Sequence, residues 1–425
     1  MTSLELRVPG DKSIAHRALL LGMLARGESR IDNVPGSADV ASTIGAARAF
    51  GADVAATGDS VVIRAGGIDA LRAPADPIDC GNSGTTARLC MGVAAALTGA
   101  TTLDGDASLR ARPMQRVAIP LGAMGASVEY LEREGHLPLR VTGGTLRALA
   151  WTSPVASAQV KSALLLAGVA GRVAVAVDEP APTRDHTERM LRAMGVDVRA
   201  SQQGVRVVAE RDLAPLRMTV PGDLSSAAFL VAAALLTGTP LVVREVGLNP
   251  TRTGFLDVLA RMGARIEVAH RHLEGGEPVG DVSVGAGELA AVEVGGAEVV
   301  RTIDELPLVA VMAAHARGST VVRDAAELRV KESDRIRALC SNLAALGVPA
   351  EERPDGFIVT GVDRPLRGAV RSFGDHRIAM AFAVLGLRPG SHIEVDDMRV
   401  ASVSFPGFAD QIERLRPRTT IGGTG

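Results

Sequence analysis

The chain has 425 residues, of which 47% are hydrophobic and 22% charged, enough for roughly two to four domains with substantial cores. Its net charge of −2 and aromatic content of 2% argue against a nucleic-acid partner, because such proteins use basic surfaces and aromatic stacking faces. No apolar run reaches transmembrane length and the 3 cysteines have no paired spacing, so we expect a cytoplasmic protein without a membrane partner, a disulfide framework or a zinc ribbon.

One pattern recurs six times along the chain: a helix rich in Ala and Leu, a glycine turn and an alternating strand. The turn glycines, at intervals of about 70 residues, are Gly27, Gly99, Gly171, Gly238, Gly318 and Gly390. A second series follows helical patterns and precedes alternating apolar positions: Gly51, Gly125, Gly195, Gly263 and Gly347. Glycine just past a helix end relieves the left-handed cap conformation, so each of these predicts the end of a helix and the start of a strand.

The first half of the chain resembles the second, because Pro9-Gly10-Asp11-Lys12-Ser13 recurs as Pro221-Gly222-Asp223-Leu224-Ser225. We therefore expect an α/β protein of two globular domains, residues 12–220 and residues 1–11 with 221–425, each made of three copies. The chain is predicted to cross between them near Asp11–Lys12 and near Val220–Pro221. The copies share no short fixed consensus, which favours compact domains over an open solenoid.

The first candidate site residues open a predicted helix after Pro9-Gly10. Lys12, Ser13 and Arg17 lie where the helix dipole and the free N–H groups favour an anion such as phosphate. Ser13 is equally explained as the N-cap of that helix.

Three further motifs of the first half are ambiguous when taken singly. Gly84 lies in a Gly/Asn/Ser/Thr run typical of an anion-binding turn, with Arg88 one helical turn later. Arg112 precedes a helix that begins with proline, although a solvated surface accounts for it as well. Ser157 and Gln159 suit a polyol or a phosphate, but helix capping explains them equally.

In the second half, Asp304 precedes an apolar helix, as capping acids often do. Lys331, Glu332 and Arg335 fall within about one helical turn, which suits either an anion site or an ordinary salt-bridged helix face. Arg377 begins another helix. Cations at helix starts in both halves favour substrates with several phosphate and carboxylate charges, with Asp304 and Glu332 supplying acid–base function. The sequence lacks the motifs of metal hydrolases and of serine-triad enzymes.

Eight segments, in this order, resemble the 5-enolpyruvylshikimate-3-phosphate synthase family: GDKSIAHR, GNSGTTAR, RARPMQR, SAQVKSALLLAG, TRDHTERM, IDELP, LRVKESDR and FGDHR. The match runs from Pro9 to Phe408. The resemblance implies two domains of three βαβαββ units each, with the active site in the cleft between them. It also implies transfer of the enolpyruvyl group of phosphoenolpyruvate to the 5-hydroxyl of shikimate 3-phosphate, in the shikimate pathway to aromatic amino acids. No cofactor, metal or covalent enzyme intermediate is required, and we expect a monomer.

The resemblance also assigns residues. Those of the shikimate 3-phosphate site are Lys12, Ser13, Arg17, Ser157, Gln159, Asp304 and Lys331. Those of the phosphoenolpyruvate site are Lys12, Gly84, Arg112, Gln159, Arg335 and Arg377. Asp304 corresponds to the base at the attacking hydroxyl, while Glu332 and Lys12 are the candidates for protonating the methylene carbon.

Two positions depart from some members of the family. Ala158 stands where some carry a second serine, and Val403 stands where some carry a lysine before the Ser-Phe-Pro segment. Gly84 is the small residue that goes with glyphosate sensitivity in this family, although Val403 weakens that implication. The alternatives are the related UDP-N-acetylglucosamine enolpyruvyl transferase, whose reactive cysteine is replaced here by Ala107, and a non-catalytic anion-binding protein on the same scaffold.

Overall fold

The computed structural model describes residues 3–201, 203–208 and 212–416. The sequence predicts a frayed tail from Arg416 onwards, and 417–425 lie outside the described residues. The α-helices of the described part are α1 (Lys12–Leu24), α2 (Ala38–Ala49), α3 (Gly84–Ala96), α4 (Ala107–Arg110), α5 (Gln115–Met124), α6 (Ala158–Ala170), α7 (His186–Ala193), α8 (Leu224–Thr237), α9 (Gly254–Arg261), α10 (Ala297–Thr302), α11 (Leu306–Ala313), α12 (Arg335–Ala345), α13 (His376–Leu385) and α14 (Phe408–Glu413). Short 3-10 turns cover Ile68–Ala70, Ala326–Val330 and Arg399–Val403.

The strands are short and alternate with these helices. They are β1 (Leu4–Leu6), β2 (Arg26–Asp32), β3 (Asp53–Thr57), β4 (Ser60–Gly66), β5 (Ile78–Asp79), β6 (Gly99–Asp104), β7 (Ser127–Tyr130), β8 (Leu139–Gly143), β9 (Leu149–Thr152), β10 (Val175–Asp178), β11 (Asp197–Ala200), β12 (Gly204–Val208), β13 (Arg217–Thr219), β14 (Leu241–Gly247), β15 (Arg265–Glu274), β16 (Glu277–Gly285), β17 (Glu293–Val294), β18 (Ser319–Val322), β19 (Ala350–Arg353), β20 (Gly356–Thr360), β21 (Arg367–Val370) and β22 (His392–Val395).

Five sheets share one topology, of which β5-β6-β8-β7 is an example. β5 runs parallel to β6, with Ile78 opposite Leu103, and the hairpin β7–β8 adds antiparallel strands on the other side. With α3 between β5 and β6 and α5 between β6 and β7, this is a βαβαββ unit. The predicted α/β fold is therefore confirmed. The sixth copy is incomplete in the described residues: its sheet holds only β21 and β22, and the Arg399–Val403 turn and α14 follow where the other copies have a hairpin.

Two sheets are completed by strands from the distant half of the sequence. β1, at the start of the chain, pairs in parallel with β14, so that Leu6 lies opposite Val243. β13 pairs in parallel with β2, and Met218 lies opposite Ile31. The recurring Pro-Gly-Asp segments, which begin at Pro9 and Pro221, follow shortly after these two edge strands.

The described chain forms two compact units. One comprises Pro9–Pro221 together with the hairpin tip His272–Pro278. The other comprises the residues up to Val8, Gly222–Arg271 and the residues from Val279 onwards. The hairpin tip of β15 and β16 thus belongs with the first-half unit although its strands belong to the second, a feature that the repeat pattern did not predict.

Each unit has its own core, built on nearly all-buried helices such as α6 in one and α8 in the other. Small residues permit close packing of the helices: a Cβ on Gly92 would lie 2.1 Å from the carbonyl oxygen of Ala163. The helix-ending glycines all have positive φ. Among the turn glycines Gly171 is the exception, with φ −87°, and Arg172 takes the left-handed conformation instead. No helix in the described ranges has both the length and the apolar character needed to span a bilayer.

Candidate active site

Most of the predicted first-half residues lie in the first turns of α1, α3 and α6 or directly before them, while Arg112 lies between α4 and α5. We call these residues the N-terminal cluster: Lys12, Ser13, Arg17, Gly84, Arg112, Ser157 and Gln159. Asp11, not Ser13, is the N-cap of α1, since its Oδ1 accepts a hydrogen bond from the Ile14 N–H at 3.0 Å. The capping alternative for Ser13 is therefore wrong. Its hydroxyl instead accepts a hydrogen bond of 3.5 Å from Arg184, a cation that sequence reasoning left unassigned.

Arg17 is 2% exposed and is held entirely by neutral oxygens. Its guanidinium donates to Thr187 Oγ1 at 3.0 Å, to Ser162 Oγ at 3.0 Å and to the Ser13 carbonyl at 2.9 Å. Burial, followed by the charge of Arg184, lowers the pKa of Arg17 to about 10, so it remains a cation at neutral pH. Two guanidinium groups whose charges act on each other in a polar setting form an environment suited to an anion.

Lys12 is the first residue of α1, and its ammonium contacts Asp39 Oδ2 at 2.7 Å. The lysine side chain is 24% exposed and the aspartate 13%. The partial positive charge of the helix N-terminus and the Lys12 ammonium are therefore close together, and the ion pair with Asp39 holds the ammonium in place.

Around Gly84, hydrogen bonds connect α3 to α6. Arg88 donates to Gln159 Oε1 at 2.7 Å, and Gln159 in turn donates to Thr85 at 3.0 Å. A Cβ on Gly84 would lie 2.7 Å from Arg88 Nη1 and 3.6 Å from Arg112 Nη1, so the absence of a side chain keeps room for both guanidinium groups.

Arg112 and Ser157 complete this cluster. Arg112 donates to Asn82 Oδ1 at 2.9 Å, which holds its guanidinium near the Gly84 turn. Ser157 is the N-cap of α6 and accepts from the Val160 N–H at 3.5 Å, so the capping interpretation of this residue is confirmed.

The second-half residues form a separate group, the C-terminal cluster: Asp304, Lys331, Glu332, Arg335 and Arg377. Arg335 lies at its centre, only 1% exposed, and donates to Asp375 at 2.8 Å and to Glu332 at 2.6 Å. Its third nitrogen, Nη1, has no hydrogen-bond partner in the described part of the chain and lies 3.7 Å from Asp304. Although burial opposes it, Asp375 and Glu332 raise the pKa of Arg335.

Arg377 and Asp304 are neighbours. Arg377 donates to the Asp304 carbonyl at 2.8 Å and to Ser225 Oγ at 3.2 Å, and its Nη2 lies 3.7 Å from the Asp304 carboxylate. The Asp304 carboxylate therefore lies 3.7 Å from each of two guanidinium groups, Arg335 and Arg377. An ionised carboxylate in this position is suited to act as a general base, beside two guanidinium groups that can bind an anionic substrate.

Lys331 and Glu332 do not lie on a helix, contrary to the spacing argument. The 3-10 turn ends at Val330 and α12 begins only at Arg335, so the two residues stand in the intervening loop. Burial lowers the pKa of Lys331, and the nearby Asp304 opposes that effect.

Ser225 is a partner that the sequence signalled without assigning. It is the counterpart of Ser13 in the recurring Pro-Gly-Asp segment, and Asp223 caps α8 as Asp11 caps α1. Its hydroxyl accepts from Arg252 at 2.6 Å and from Arg377, and donates to buried Glu305. Glu305 occupies the N-cap position of α11, but its buried side chain makes no capping hydrogen bond there.

The fold, the eight ordered motifs and the two clusters agree with one family of sequences. The model of the EPSP synthase family (3-phosphoshikimate 1-carboxyvinyltransferase) matches residues 2–412.

The chain belongs to the EPSP synthase family.

Its relatives in this family are similar over almost their whole length. The 3-phosphoshikimate 1-carboxyvinyltransferase of Desulforamulus reducens is 47% identical over 411 residues, covering 96% of both chains. That of Pelotomaculum thermopropionicum is 50% identical over 412 residues, covering 96% of this chain and 95% of the relative. The recognised family and the expected transferase class are confirmed, and the chain's activity is that of a 3-phosphoshikimate 1-carboxyvinyltransferase.

Solved structures of enolpyruvyl transferases have the same fold as this chain. EPSP synthase from Acinetobacter baumannii superposes with a TM-score of 0.88 at 39% identity, covering 97% of this chain and 95% of that one. The enolpyruvyl transferase NikO from Streptomyces tendae, at 18% identity and a TM-score of 0.76, shares the fold.

The cysteines of this EPSP synthase family member are poor nucleophiles. Cys80, Cys90 and Cys340 are buried and free. Burial raises the pKa of Cys90 to about 12 and that of Cys340 to about 11, so neither forms a thiolate at neutral pH. Across the described residues, no group of three His, Cys, Asp or Glu side chains is arranged to hold a metal ion.

Proposed function

We propose that the N-terminal and C-terminal clusters act on one pair of substrates, shikimate 3-phosphate and phosphoenolpyruvate. The observation that carries this proposal is the pairing of Arg335 with Asp304 at 3.7 Å, because it sets a carboxylate base beside a buried guanidinium. A transfer of enolpyruvyl to a hydroxyl needs both: a base for the hydroxyl proton and a fixed cation for the donor's charges.

The acceptor is assigned to residues of both clusters. Arg17 and Ser13, with Lys12, bind its 3-phosphate, which suits an arginine that has only neutral partners. The remaining acceptor residues are Ser157, Gln159, Asp304 and Lys331.

The donor is assigned to the other cations. Arg335 and Arg377 bind the carboxylate and phosphate of phosphoenolpyruvate together with Lys12, Arg112 and Gln159, and Gly84 leaves space for the bound anion. Arginine suits this task because its planar fork can bind a carboxylate or a phosphate through two parallel hydrogen bonds.

The chemistry proceeds by addition and elimination. A proton from Glu332 or Lys12 adds to the methylene carbon of phosphoenolpyruvate while the 5-hydroxyl oxygen bonds to C2 and Asp304 takes the hydroxyl proton. In the second step the group that gave the first proton takes one back from the new methyl group, and the carbon–carbon double bond forms again. The bond from C2 to the phosphate oxygen breaks, and phosphate leaves with the proton that Asp304 had taken. Fixed guanidinium groups stabilise the charge that develops on the leaving phosphate. We further propose that the reaction needs no cofactor. The enzyme is proposed to be a monomeric cytoplasmic protein without nucleic-acid or membrane partners.

The test is phosphate release from phosphoenolpyruvate with shikimate 3-phosphate or UDP-N-acetylglucosamine as the acceptor. Release that depends on shikimate 3-phosphate supports the proposal. Lys12→Ala should then lose nearly all turnover while its circular dichroism and melting temperature stay close to those of the wild type. Release only with the sugar nucleotide, or an active Lys12→Ala variant, contradicts the proposal. Sedimentation of the purified protein tests the monomer.

A further inference from the structure

A buried ion triad lies next to the Arg17 site. Lys161 on α6 is 4% exposed, and its ammonium contacts Glu179 Oε2 at 2.7 Å and Glu188 Oε1 at 2.9 Å. It also donates to the Thr183 carbonyl at 3.4 Å, while the Thr183 hydroxyl donates to Glu179 at 2.5 Å. The triad thus sets two carboxyl groups against one ammonium, and burial raises the pKa of Glu188 although the charge of Lys161 opposes that rise.

The chain neighbours of this triad are the residues that hold Arg17. Ser162 follows Lys161 on α6, and Thr187 precedes Glu188 on α7. Both hydroxyls accept hydrogen bonds from the Arg17 guanidinium, and Thr187 also donates to Ser162 at 2.8 Å. The triad thus joins α6 to α7 one residue away from the Arg17 contacts.

The position of the buried Glu188 carboxylate relative to Arg17 is the second observation. Glu188 is one of the charges that act on Arg17, yet no carboxylate of the described residues forms an ion pair with Arg17. The second oxygen of Glu188, Oε2, has no hydrogen-bond partner there either. An unscreened buried carboxylate close to a guanidinium would be expected to pair with it, because buried opposite charges attract strongly.

We propose that Lys161 is a positioning residue for the acceptor's phosphate: it engages Glu179 and Glu188 and so keeps Arg17 free to bind a phosphate group. Lysine suits this role because its compact ammonium fits between two carboxylates, whereas a guanidinium is larger and planar. This inference rests on the proposed binding of shikimate 3-phosphate by Arg17.

The test is steady-state kinetics of Lys161→Met, which removes the charge and keeps most of the side-chain volume. We expect KM for shikimate 3-phosphate to rise about tenfold or more, with KM for phosphoenolpyruvate changed by less than about twofold. Adding Glu188→Gln to Lys161→Met removes the unscreened carboxylate and should recover most of the lost affinity. Arg199→Met, which removes an exposed cation of the same unit, is the matched control and should leave both constants unchanged.

A merely structural role predicts different results. Equal changes in both KM values, or no recovery in the double variant, overturn the inference, as does an unchanged KM for shikimate 3-phosphate. If Lys161→Met does not fold, Glu188→Gln alone decides: the inference requires that KM for shikimate 3-phosphate stay the same or fall, and a rise of about fivefold refutes it. Failure of the proposed function itself is recognised separately, because wild-type enzyme would then release no phosphate in response to shikimate 3-phosphate.

Discussion

Arg335 and Asp375 form an ion pair in which both side chains are almost completely buried, 1% and 0% exposed, with Nε and Oδ2 2.8 Å apart. Asp375 is also the N-cap of α13 and accepts from the Arg377 N–H at 2.9 Å. One carboxylate therefore orients one arginine of the C-terminal cluster and begins the helix that carries the other.

Asp375→Asn should destabilise the protein by about 3–5 kcal/mol, because it leaves the buried charge of Arg335 with a weaker partner. Urea unfolding measures this loss. Asp363→Asn is the control: Asp363 is fully exposed and pairs with Arg388 at 3.2 Å, so we expect a change below about 1 kcal/mol. Equal losses of unfolding free energy in the two variants would show that the buried pair with Arg335 contributes no more to stability than an exposed pair.

The same pair makes stability depend on acid pH. Burial alone would raise the pKa of Asp375, but Arg335 outweighs it and the pKa is lowered. A lowered carboxyl pKa adds stability that is complete above the unfolded value of about 3.9 and is lost as the pH falls through the folded pKa. The unfolding free energy of the wild type should therefore fall below about pH 4 more steeply than that of Asp375→Asn. Parallel curves for the two proteins would contradict this assignment.

Asp304→Ala should lower kcat by about 10² to 10⁴-fold, the usual contribution of a positioned base. KM for phosphoenolpyruvate should stay constant or fall, because the substitution removes a negative charge 3.7 Å from both Arg335 and Arg377. Initial-rate kinetics with each substrate varied in turn separates the two constants. The control is Glu293→Ala, which removes an exposed acid paired with Arg323 at 2.7 Å. A variant with normal kcat and weak donor binding would mean that Asp304 is not the base.

Gly84→Ala should raise KM for phosphoenolpyruvate about tenfold and weaken inhibition by glyphosate, with little change in folding. The added Cβ would lie 2.7 Å from Arg88 Nη1, so the guanidinium must move and its 2.7 Å hydrogen bond to Gln159 is strained. Gly122→Ala is the matched control, since nothing lies within 4 Å of its added Cβ. That variant should keep normal kinetics and gain about 0.5–1 kcal/mol from helix propensity. Unchanged kinetics of Gly84→Ala would show that Arg88 adapts without cost.

Lys331 should limit acceptor binding at alkaline pH. Burial lowers its pKa, so its ammonium loses its proton below the ordinary lysine value of about 10.4. The affinity for shikimate 3-phosphate, measured by calorimetry, should decline above the lowered pKa. In Lys331→Arg this decline should move to higher pH, because a guanidinium stays charged. Identical pH profiles for the two proteins would assign the decline to another group.

Much of the architecture could be read from local signals. The helix-ending glycines, Gly51 among them, have the positive φ expected of them, since a left-handed residue at a helix end requires no partner elsewhere in the chain. The placement of Lys12 and Arg377 at helix starts could also be predicted, because the signals that begin a helix lie in adjacent residues. Gly171 shows the limit, because Arg172 adopts the left-handed conformation in its place.

The sequence by itself determined the six-copy pattern, the helix starts that carry the cations and, through eight ordered motifs, the family. Only the tertiary structure decided that β1 completes a sheet with β14, that the tip His272–Pro278 belongs with the first-half unit, and that Asp375 is the partner of Arg335. Capping and turn signals depend on a few adjacent residues, whereas an ion pair or a strand pairing joins residues far apart in the chain. The residues that form such pairs become neighbours only when the cores pack, so no local sequence pattern predicts the pairing.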